Sequence, residues 1–525
     1  MGAWKKVGLA LLSGLLIAAA WPVRGLAPLA FVAFIPLLYL QDKVKKVFWL
    51  SFITFLTWNA LTTWWVWKTT AAGTIGMIVV NSLLMTCVFW AYSFVKNRLY
   101  DNKKGYYILI IFVLAFEYMH LNWQLNWPWL NLGNVFSHYH SWVQWYEFTG
   151  IAGGTVWVLA ANIIIYKYLK ICAENQQLSC QKDKRKYLIL IPCILLIPVI
   201  VSKIQYYSYD EQGEDVEIVV VQPNLDPYTE EFTLAPSKIM ERNLSVAEPL
   251  VTENTRFVIS PESAIQEDIW LERIDNYYSI RRLRDFLKSY PKACYVIGIS
   301  AVGLAPEGAE NDFAARKFMD VDKYYYAYNT AILITADSIQ KYHKSRLTPG
   351  AESMPSWWII RKFKNMALDL GGTVGTLKKD SEARVLSFDN HKVATLICYE
   401  SVFGGYVTEF VKKGADMLFV ITNDGWWGNS PGHRQHLEFS KLRAIETRRS
   451  VARSANTGIS GFINQRGDIV EQSKYWEHTA LRNTIKTNDK QTFYVRYGDY
   501  IYKTAVFLTI LLAAMTIVRI ILKKK

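Results

Sequence analysis

Two hydrophobic patterns divide the chain. Over residues 1–202 apolar residues come in long unbroken runs, at about 7–23, 26–40, 47–67, 74–95, 105–121, 145–169 and 187–202, and one more lies at 503–522. Each is near the roughly 20 residues that a helix needs to cross a bilayer, although the second is short and contains proline. Between residues 203 and 499 the runs shorten and fill with β-branched residues, predicting strands at 216–221, 257–260, 295–300, 329–334, 393–397, 417–422 and 460–464. Polar, helix-like segments at about 236–250, 271–290, 402–414 and 433–449 alternate with them. Several strands are apolar throughout, as in sheets covered on both faces, so the layers are expected in the order helix–sheet–sheet–helix. The pattern predicts an α-helical membrane bundle of eight spans plus an extramembrane α/β domain. The expected division is a seven-span bundle at 1–202, an α/β domain at 203–499, and an eighth helix with a basic tail at 500–525.

Charge orients this arrangement. Lys5 and Lys6 precede the first run, Lys43, Lys45 and Lys46 follow the second, and Lys96, Arg98, Lys103 and Lys104 follow the fourth. Lys167, Lys170, Lys182, Lys184, Arg185 and Lys186 lie between the sixth and seventh, and Lys523–Lys525 close the chain, whereas the alternate loops carry little beyond Arg24 and Lys68. Basic loops mark the cytoplasmic side, so both termini are expected inside and the α/β domain outside. The chain as a whole carries a net charge of +14, yet residues 203–503 hold 38 Lys and Arg against 39 Asp and Glu. The surplus sits in the loops, and no nucleic-acid partner is expected. The first run also has the form of a signal peptide, with Ala18–Ala20 at its end; the runs that follow favour a retained helix.

Candidate chemistry lies mostly in the outer segment. ATLICYESVFGG is an apolar run that stops on Cys398 before a polar turn with Gly404 and Gly405. Such a turn can present a thiol as a nucleophile elbow presents a serine, though a buried structural cysteine reads the same way. Cys294 and Cys398 are the cysteines of the outer segment, and a disulfide between them is the other structural alternative. FVISPESAI puts Glu262 just after a strand, and IQKYHKSRLTPGAE puts Lys344 after the strand that begins at Asn329, with Glu352 eight residues on. Alone, each is as readily a surface charge. In the membrane part, Glu117 and His120 interrupt the fifth run, as a lipid or substrate contact or as a helix-end pair. The following NWQLNWPWLNLG reads as an interfacial or re-entrant segment.

Glu262, Lys344 and Cys398, in that order at strand ends, resemble the catalytic set of the nitrilase superfamily of carbon–nitrogen hydrolases. Ser260–Ala264, YNT at 328–330, TNDGWWG at 422–428, QHL at 435–437, RAIE at 443–446, RSANTG at 453–458 and WPWL at 127–130 are similar to the apolipoprotein N-acyltransferase family. The resemblance implies eight spans with a nitrilase-like domain between the last two, on the periplasmic side of a bacterial inner membrane. It implies Glu262 as general base, Cys398 as nucleophile, and Lys344 with the Tyr399 N–H as oxyanion donors. Glu352 would orient Lys344 or assist proton transfer, with Glu400 and Asn329 in support. Trp357, Trp358, Trp426 and Trp427 would lie on the membrane or gate the site, with ordinary core packing as the alternative. No cofactor or metal is implied. The expected partners are a phospholipid acyl donor, a diacylglyceryl-apolipoprotein acceptor and the membrane, with the enzyme a monomer working by a ping-pong thioester route. The alternative is a membrane-tethered amidase or nitrilase acting on small amides. Two departures stand out: VQPNLDPYTEEF has no tryptophan where the family often has one, leaving Tyr228 or Phe232 to fill the place, and FEYMH has no Arg after Glu117.

Overall fold

The computed structural model describes residues 1–102, 104–174, 181–353 and 376–522. They fall into two compact units: one of residues 1–123, 127–209 and 497–525, the other of 124–126 and 210–496.

The first unit is helical. Helices Ala3–Ala20, Ala71–Tyr100, Ile151–Glu174, Gln181–Ser208 and Tyr500–Leu522 contain stretches long and apolar enough to cross a bilayer by length and composition, five among the described residues. Eight were expected. The run at 26–40 is not one helix: it breaks into a 3₁₀ turn, Ala27–Phe31, and a nine-residue helix, Ile35–Lys43. Pro28 and Pro36 sit near the start of these pieces, where a missing N–H costs nothing, and neither could sit inside a continuous helix without cost. Phe48–Thr63 and Tyr107–Asn122 are helices of 16 residues each, the former continuing into a 3₁₀ turn. Leu188, Ile189, Ile204, Tyr207, Ile510, Ile517 and Ile521 are all more than half exposed, a surface suited to lipid rather than water.

Several polar groups inside this unit are paired. The Glu117 carboxylate accepts from the Leu132 N–H at 2.7 Å, Thr155 Oγ1 at 2.8 Å and the Tyr502 hydroxyl at 3.1 Å. It thereby ties the WPWL segment, folded as short 3₁₀ turns with Trp129 and Leu130 buried, to the helices at Ile151–Glu174 and Tyr500–Leu522. Trp123 Nε1 lies 3.3 Å from His120 Nδ1. Asp42 accepts from Lys96 at 2.8 Å and Lys170 at 2.7 Å, with hydroxyls of Tyr106 and Tyr166 completing the cluster.

The second unit is α/β. Strands β1 (Asp215–Gln222), β2 (Thr255–Ile259), β3 (Ile265–Trp270), β4 (Cys294–Leu304), β5 (Arg316–Lys317), β6 (Tyr324–Ile334), β7 (Ile339–His343) and β14 (Thr479–Lys486) form one sheet in the order β14-β1-β2-β4-β6-β5, with β3 on β4 and β7 on β6. The second sheet runs β13-β12-β11-β10-β9-β8, from β8 (Leu386–Phe388), β9 (His391–Ile397), β10 (Met417–Thr422), β11 (Val451–Ala455), β12 (Gly461–Ile463) and β13 (Ile469–Gln472). The centres of both are parallel: β1, β2 and β4 in the first, β9, β10 and β11 in the second. Phe257 on β2 packs edge-on against Phe419 on β10 at 5.1 Å, joining the sheets face to face. Helices Pro236–Ala247 and Tyr278–Ser289 set Met240, Leu244, Leu283 and Phe286 against Val219, Tyr295 and Ile297 of the first sheet. On the other side lie Gly404–Lys412 and Pro431–Thr447, the latter buried on all sides.

Seven strands and four helices were expected in this unit, and each has a counterpart. The expected helix at 271–290 begins only at Tyr278, after a kinked 3₁₀ stretch at Leu271–Asn276. Among the missed strands are β7 and β14, whose sequences IQKYH and TALRNTIK are too polar to read as buried.

Candidate active site

The ends of the central strands bring the candidate residues together. β2 runs into Ser260, whose hydroxyl is 2.8 Å from both Asn243 Oδ1 and the Tyr295 hydroxyl, and Glu262 follows after Pro261. This turn lies on Gly298 of β4. A Cβ there would stand 2.5 Å from the Ser263 nitrogen and 2.6 Å from Glu262 Cα, so the close approach needs glycine. Gly298 N–H donates to the Pro261 carbonyl at 3.0 Å and fixes the turn.

Lys344 was expected to follow the strand beginning at Asn329. It instead follows β7, the antiparallel partner of that strand, and the hairpin returns it to Asn329. The Lys344 N–H donates to the Asn329 carbonyl at 2.8 Å, so the two side chains leave the sheet together. Lys344 Nζ lies 2.9 Å from Glu262 Oε1 and 2.9 Å from Glu352 Oε1. Asn329 Nδ2 donates to the same two oxygens, at 2.8 and 2.9 Å. Glu352 is completed by the Thr348 N–H at 2.8 Å. Burial disfavours charge on this buried lysine, but Glu262, Glu352 and the Cys398 sulfur more than offset it and hold the ammonium well above its ordinary range. Burial likewise pushes the Glu352 carboxyl up, and Lys344 brings it below its usual value. One cation thus holds two carboxylates in a site nearly closed to water.

Cys398 directly follows β9 with φ of +50°, a left-handed turn that a residue with a side chain adopts at a cost. Its carbonyl accepts from Ser401 Oγ at 2.8 Å and lies 3.1 Å from His436 Nε2. The thiol is pushed well above its ordinary pKa by burial first and by Glu262 next, against the pull of Lys344. These surroundings favour the thiol over the thiolate. Cys294 and Cys398 are both free, so the disulfide alternative fails; Cys294 is buried within the first sheet.

Glu400 braces the two halves of the site. Its Oε1 accepts from the Ser345 N–H at 2.7 Å, the Arg346 N–H at 3.2 Å and the Tyr342 hydroxyl at 2.6 Å, while Oε2 accepts from the Ile397 N–H at 2.9 Å. The backbone just after Lys344 and the backbone just before Cys398 are held by one side chain. Burial pushes this carboxyl up to about 7 against these hydrogen bonds. The Tyr399 hydroxyl donates to the Asn126 carbonyl at 3.0 Å, and its ring packs on Phe403.

Trp426 is half-buried, with the Tyr228 ring at 5.1 Å and the Phe232 ring at 6.3 Å. Tyr228 also donates to the Trp426 carbonyl at 2.8 Å, so the aromatics of the tryptophan-less loop do gather beside this pair. Trp427 packs on His436. Trp357 and Trp358 lie outside the described residues.

Four side chains escaped the sequence reading except as parts of motifs. Asp424, His436 and Arg453 form a buried group behind the Cys398 turn, with Asp424 Oδ1 3.0 Å from His436 Nδ1 and Oδ2 paired to Arg453. Burial raises the Asp424 carboxyl, but Arg453 and His436 pull it far below its usual range. Cys398, Asp424 and His436 have ligand atoms within 4.8 Å of one another, the spacing of a metal site. The Arg453 guanidinium already neutralises Asp424, so the group fits support of the turn better than a cation. The fourth is Asn423, whose N–H donates to Glu262 Oε2 at 3.1 Å.

The family model described as apolipoprotein N-acyltransferase N-terminal domain matches residues 13–164, and that of carbon–nitrogen hydrolase matches 296–492, a stretch that holds Lys344 and Cys398 but begins after Glu262. An apolipoprotein N-acyltransferase of Chlorobaculum tepidum is 28% identical over 98% of this chain and 97% of its own length. Relatives of the same name from Geobacter metallireducens and Thermotoga maritima are 26% and 24% identical, over 94% and 96% of this chain and 91% and 92% of theirs. The chain therefore matches, in order, the apolipoprotein N-acyltransferase N-terminal domain and the carbon–nitrogen hydrolases, and its resemblance to the apolipoprotein N-acyltransferases runs along nearly its whole length.

Proposed function

We propose that this protein is a membrane acyltransferase. It moves an acyl chain from a phospholipid, through a thioester on Cys398, to the N-terminal amine of the diacylglyceryl-cysteine of an apolipoprotein. The observation that carries the reading is the Glu262–Lys344–Glu352 cluster, buried at its lysine and at Glu262, beside the partly exposed Cys398 on a strained turn. It occurs in a chain whose relatives bear that name over their full length. The protein is multi-pass in the bacterial inner membrane, with eight crossings, both termini in the cytoplasm and the catalytic domain, residues 203–499, in the periplasm. It works as a monomer.

The chemistry runs in two halves. As Cys398 Sγ attacks the ester carbonyl, Glu262 takes the thiol proton, because a thiol held neutral at rest needs a base in the transition state. Lys344 faces the oxygen that becomes negative, and the Tyr399 N–H assists. Such donors contribute about 2.7–4 kcal/mol each by analogy with oxyanion-hole deletions. Collapse breaks the ester C–O bond, Glu262 returns the proton to the departing lysophospholipid oxygen, and the acyl chain stays on sulfur. The acceptor amine then attacks the thioester. Glu262 takes a proton from the nitrogen and passes it to the leaving sulfur, which restores the thiol and leaves an amide. Glu352 and Asn329 keep Lys344 and Glu262 in place throughout.

The test is the first half-reaction. Purified protein given phospholipid without acceptor should release about one equivalent of lysophospholipid and gain one acyl mass on Cys398, removable by neutral hydroxylamine. Cys398→Ala should gain none, while Cys294→Ala should. Continuous turnover to free fatty acid with no acyl-enzyme would assign a hydrolase instead.

A further inference from the structure

Glu231 is a buried carboxyl for which the mechanism above has no use. It lies in the loop after β1, 2% exposed, and among the described residues it has no ion pair. Its Oε2 accepts from Asn423 Nδ2 at 2.6 Å, and its Oε1 from Gln266 Nε2 at 3.3 Å. Asn423 is the residue whose backbone N–H holds Glu262 Oε2. One residue therefore joins two carboxyls, by its side chain to Glu231 and by its backbone to Glu262.

The orientation of Asn423 is fixed from both ends. Its Oδ1 accepts from Asn456 Nδ2 at 3.2 Å, so its amide nitrogen must face Glu231. Asn456 also holds the Glu231 loop: its Nδ2 donates to the Leu225 carbonyl at 2.8 Å, its Oδ1 accepts from the Leu225 N–H at 2.9 Å, and its own carbonyl accepts from the Asn224 N–H at 3.0 Å. On the far side, Gln266 Nε2 is tied to the Ser263 carbonyl at 2.8 Å, next to Glu262. The acid is thus bracketed by both segments that carry the Glu262 carboxylate.

We propose that Glu231 is a positioning residue for the general base: as a neutral acid it anchors Asn423, and through the Asn423 N–H it aims the Glu262 carboxylate, whereas its ionised form places a second negative charge beside that carboxylate and slows acylation. The inference rests on the acyl-transfer reading of the site. The charged groups acting on Glu231 are Glu262, at the end of β2, and Asp226, in its own loop, both negative. Burial first, and then these two carboxylates, push Glu231 up to about 8 against the hydrogen bonds from Asn423 and Gln266. It is therefore mostly neutral at pH 7 and ionises as pH rises through 8. That second charge opposes the negative tetrahedral intermediate, so the rate should fall on the alkaline side.

The experiment is single-turnover acylation of Cys398, read by mass, in full-length protein in detergent with phospholipid alone, between pH 6.5 and 9.5. With a group near 8, the neutral fraction falls about tenfold between pH 7 and pH 9, which sets the largest loss to be seen in the wild type. Glu231→Gln keeps an acceptor for Asn423, sets its amide nitrogen against Gln266 Nε2 at the other end, and cannot ionise. Its rates, normalised to its own value at pH 7, should show no such fall. Glu231→Ala should lower the rate across the whole range, and Glu231→Gln should restore part of it. An identical alkaline fall in Glu231→Gln and wild type, or a wild-type rate in Glu231→Ala, would overturn the proposal. Absence of any acyl-enzyme in the wild type would instead overturn the functional reading beneath it.

Discussion

The Lys344 cluster separates charge balance from catalysis. Lys344 and Glu262 are buried and Glu352 is partly buried, and their charges sum to −1. Lys344→Met keeps the aliphatic stem but leaves −2, two carboxylates that share the Asn329 amide as their common side-chain donor. Breaking a buried pair by removing one partner costs about 3–5 kcal/mol, reduced if one carboxyl takes up a proton. Adding Glu352→Gln returns the sum to −1 and should recover most of that loss. Acylation should behave differently. It should fall by about 10²–10³ in Lys344→Met through loss of the oxyanion cation, and should stay low in the double variant. Thermal unfolding in detergent reads the first effect, and the acyl-enzyme burst with phospholipid alone reads the second. If the double variant regains acylation, Lys344 serves only to balance charge and the oxyanion role is wrong. If Lys344→Met melts with the wild type, the cluster is not the buried ion network its distances imply.

Two further substitutions probe how the strand ends are held. Gly298→Ala would set a Cβ 2.5 Å from the Ser263 nitrogen and 2.6 Å from Glu262 Cα, so the turn must move; stability should fall by about 1–3 kcal/mol and acylation well beyond that share, and an unchanged acylation rate would show that Glu262 does not depend on this turn. Glu400→Gln is nearly isosteric but cannot accept at both ends, because its amide nitrogen must oppose either the Ile397 N–H or those of Ser345 and Arg346; the unmet donor should cost about 1–3 kcal/mol and slow acylation, and a melting temperature equal to wild type would refute the bracing role.

Much of this was legible without coordinates, for identifiable reasons. The strands at 216–221, 393–397 and 417–422 are buried on both faces, so their apolar runs show regardless of partners. The long apolar helices show for the same reason. The second run folds as two pieces, divided near Pro28 and Pro36, a break that apolar composition does not report. β7 was missed because Ile339–His343 is only half-buried, and its polar residues look like loop. That miss moved Lys344 from one strand to its hairpin partner, while Lys344 still came to lie beside Asn329.

The sequence by itself determined which residues are candidates for the chemistry: Glu262, Lys344 and Cys398 stand out because acid, amine and thiol at strand ends, in that order, form a recognisable pattern. Only the tertiary structure decided what surrounds them. The folded arrangement of the two sheets brings Glu262 within 2.9 Å of Lys344 across 82 positions of chain, and Asn423 to Glu231 across 192. Glu231 in TEEF looks like any solvated acid, and Asn423 like a turn residue. Their roles come from burial and from a hydrogen bond that no local pattern encodes. A side chain's chemistry is local, but its charge state and its aim are set by neighbours that only the folded chain supplies.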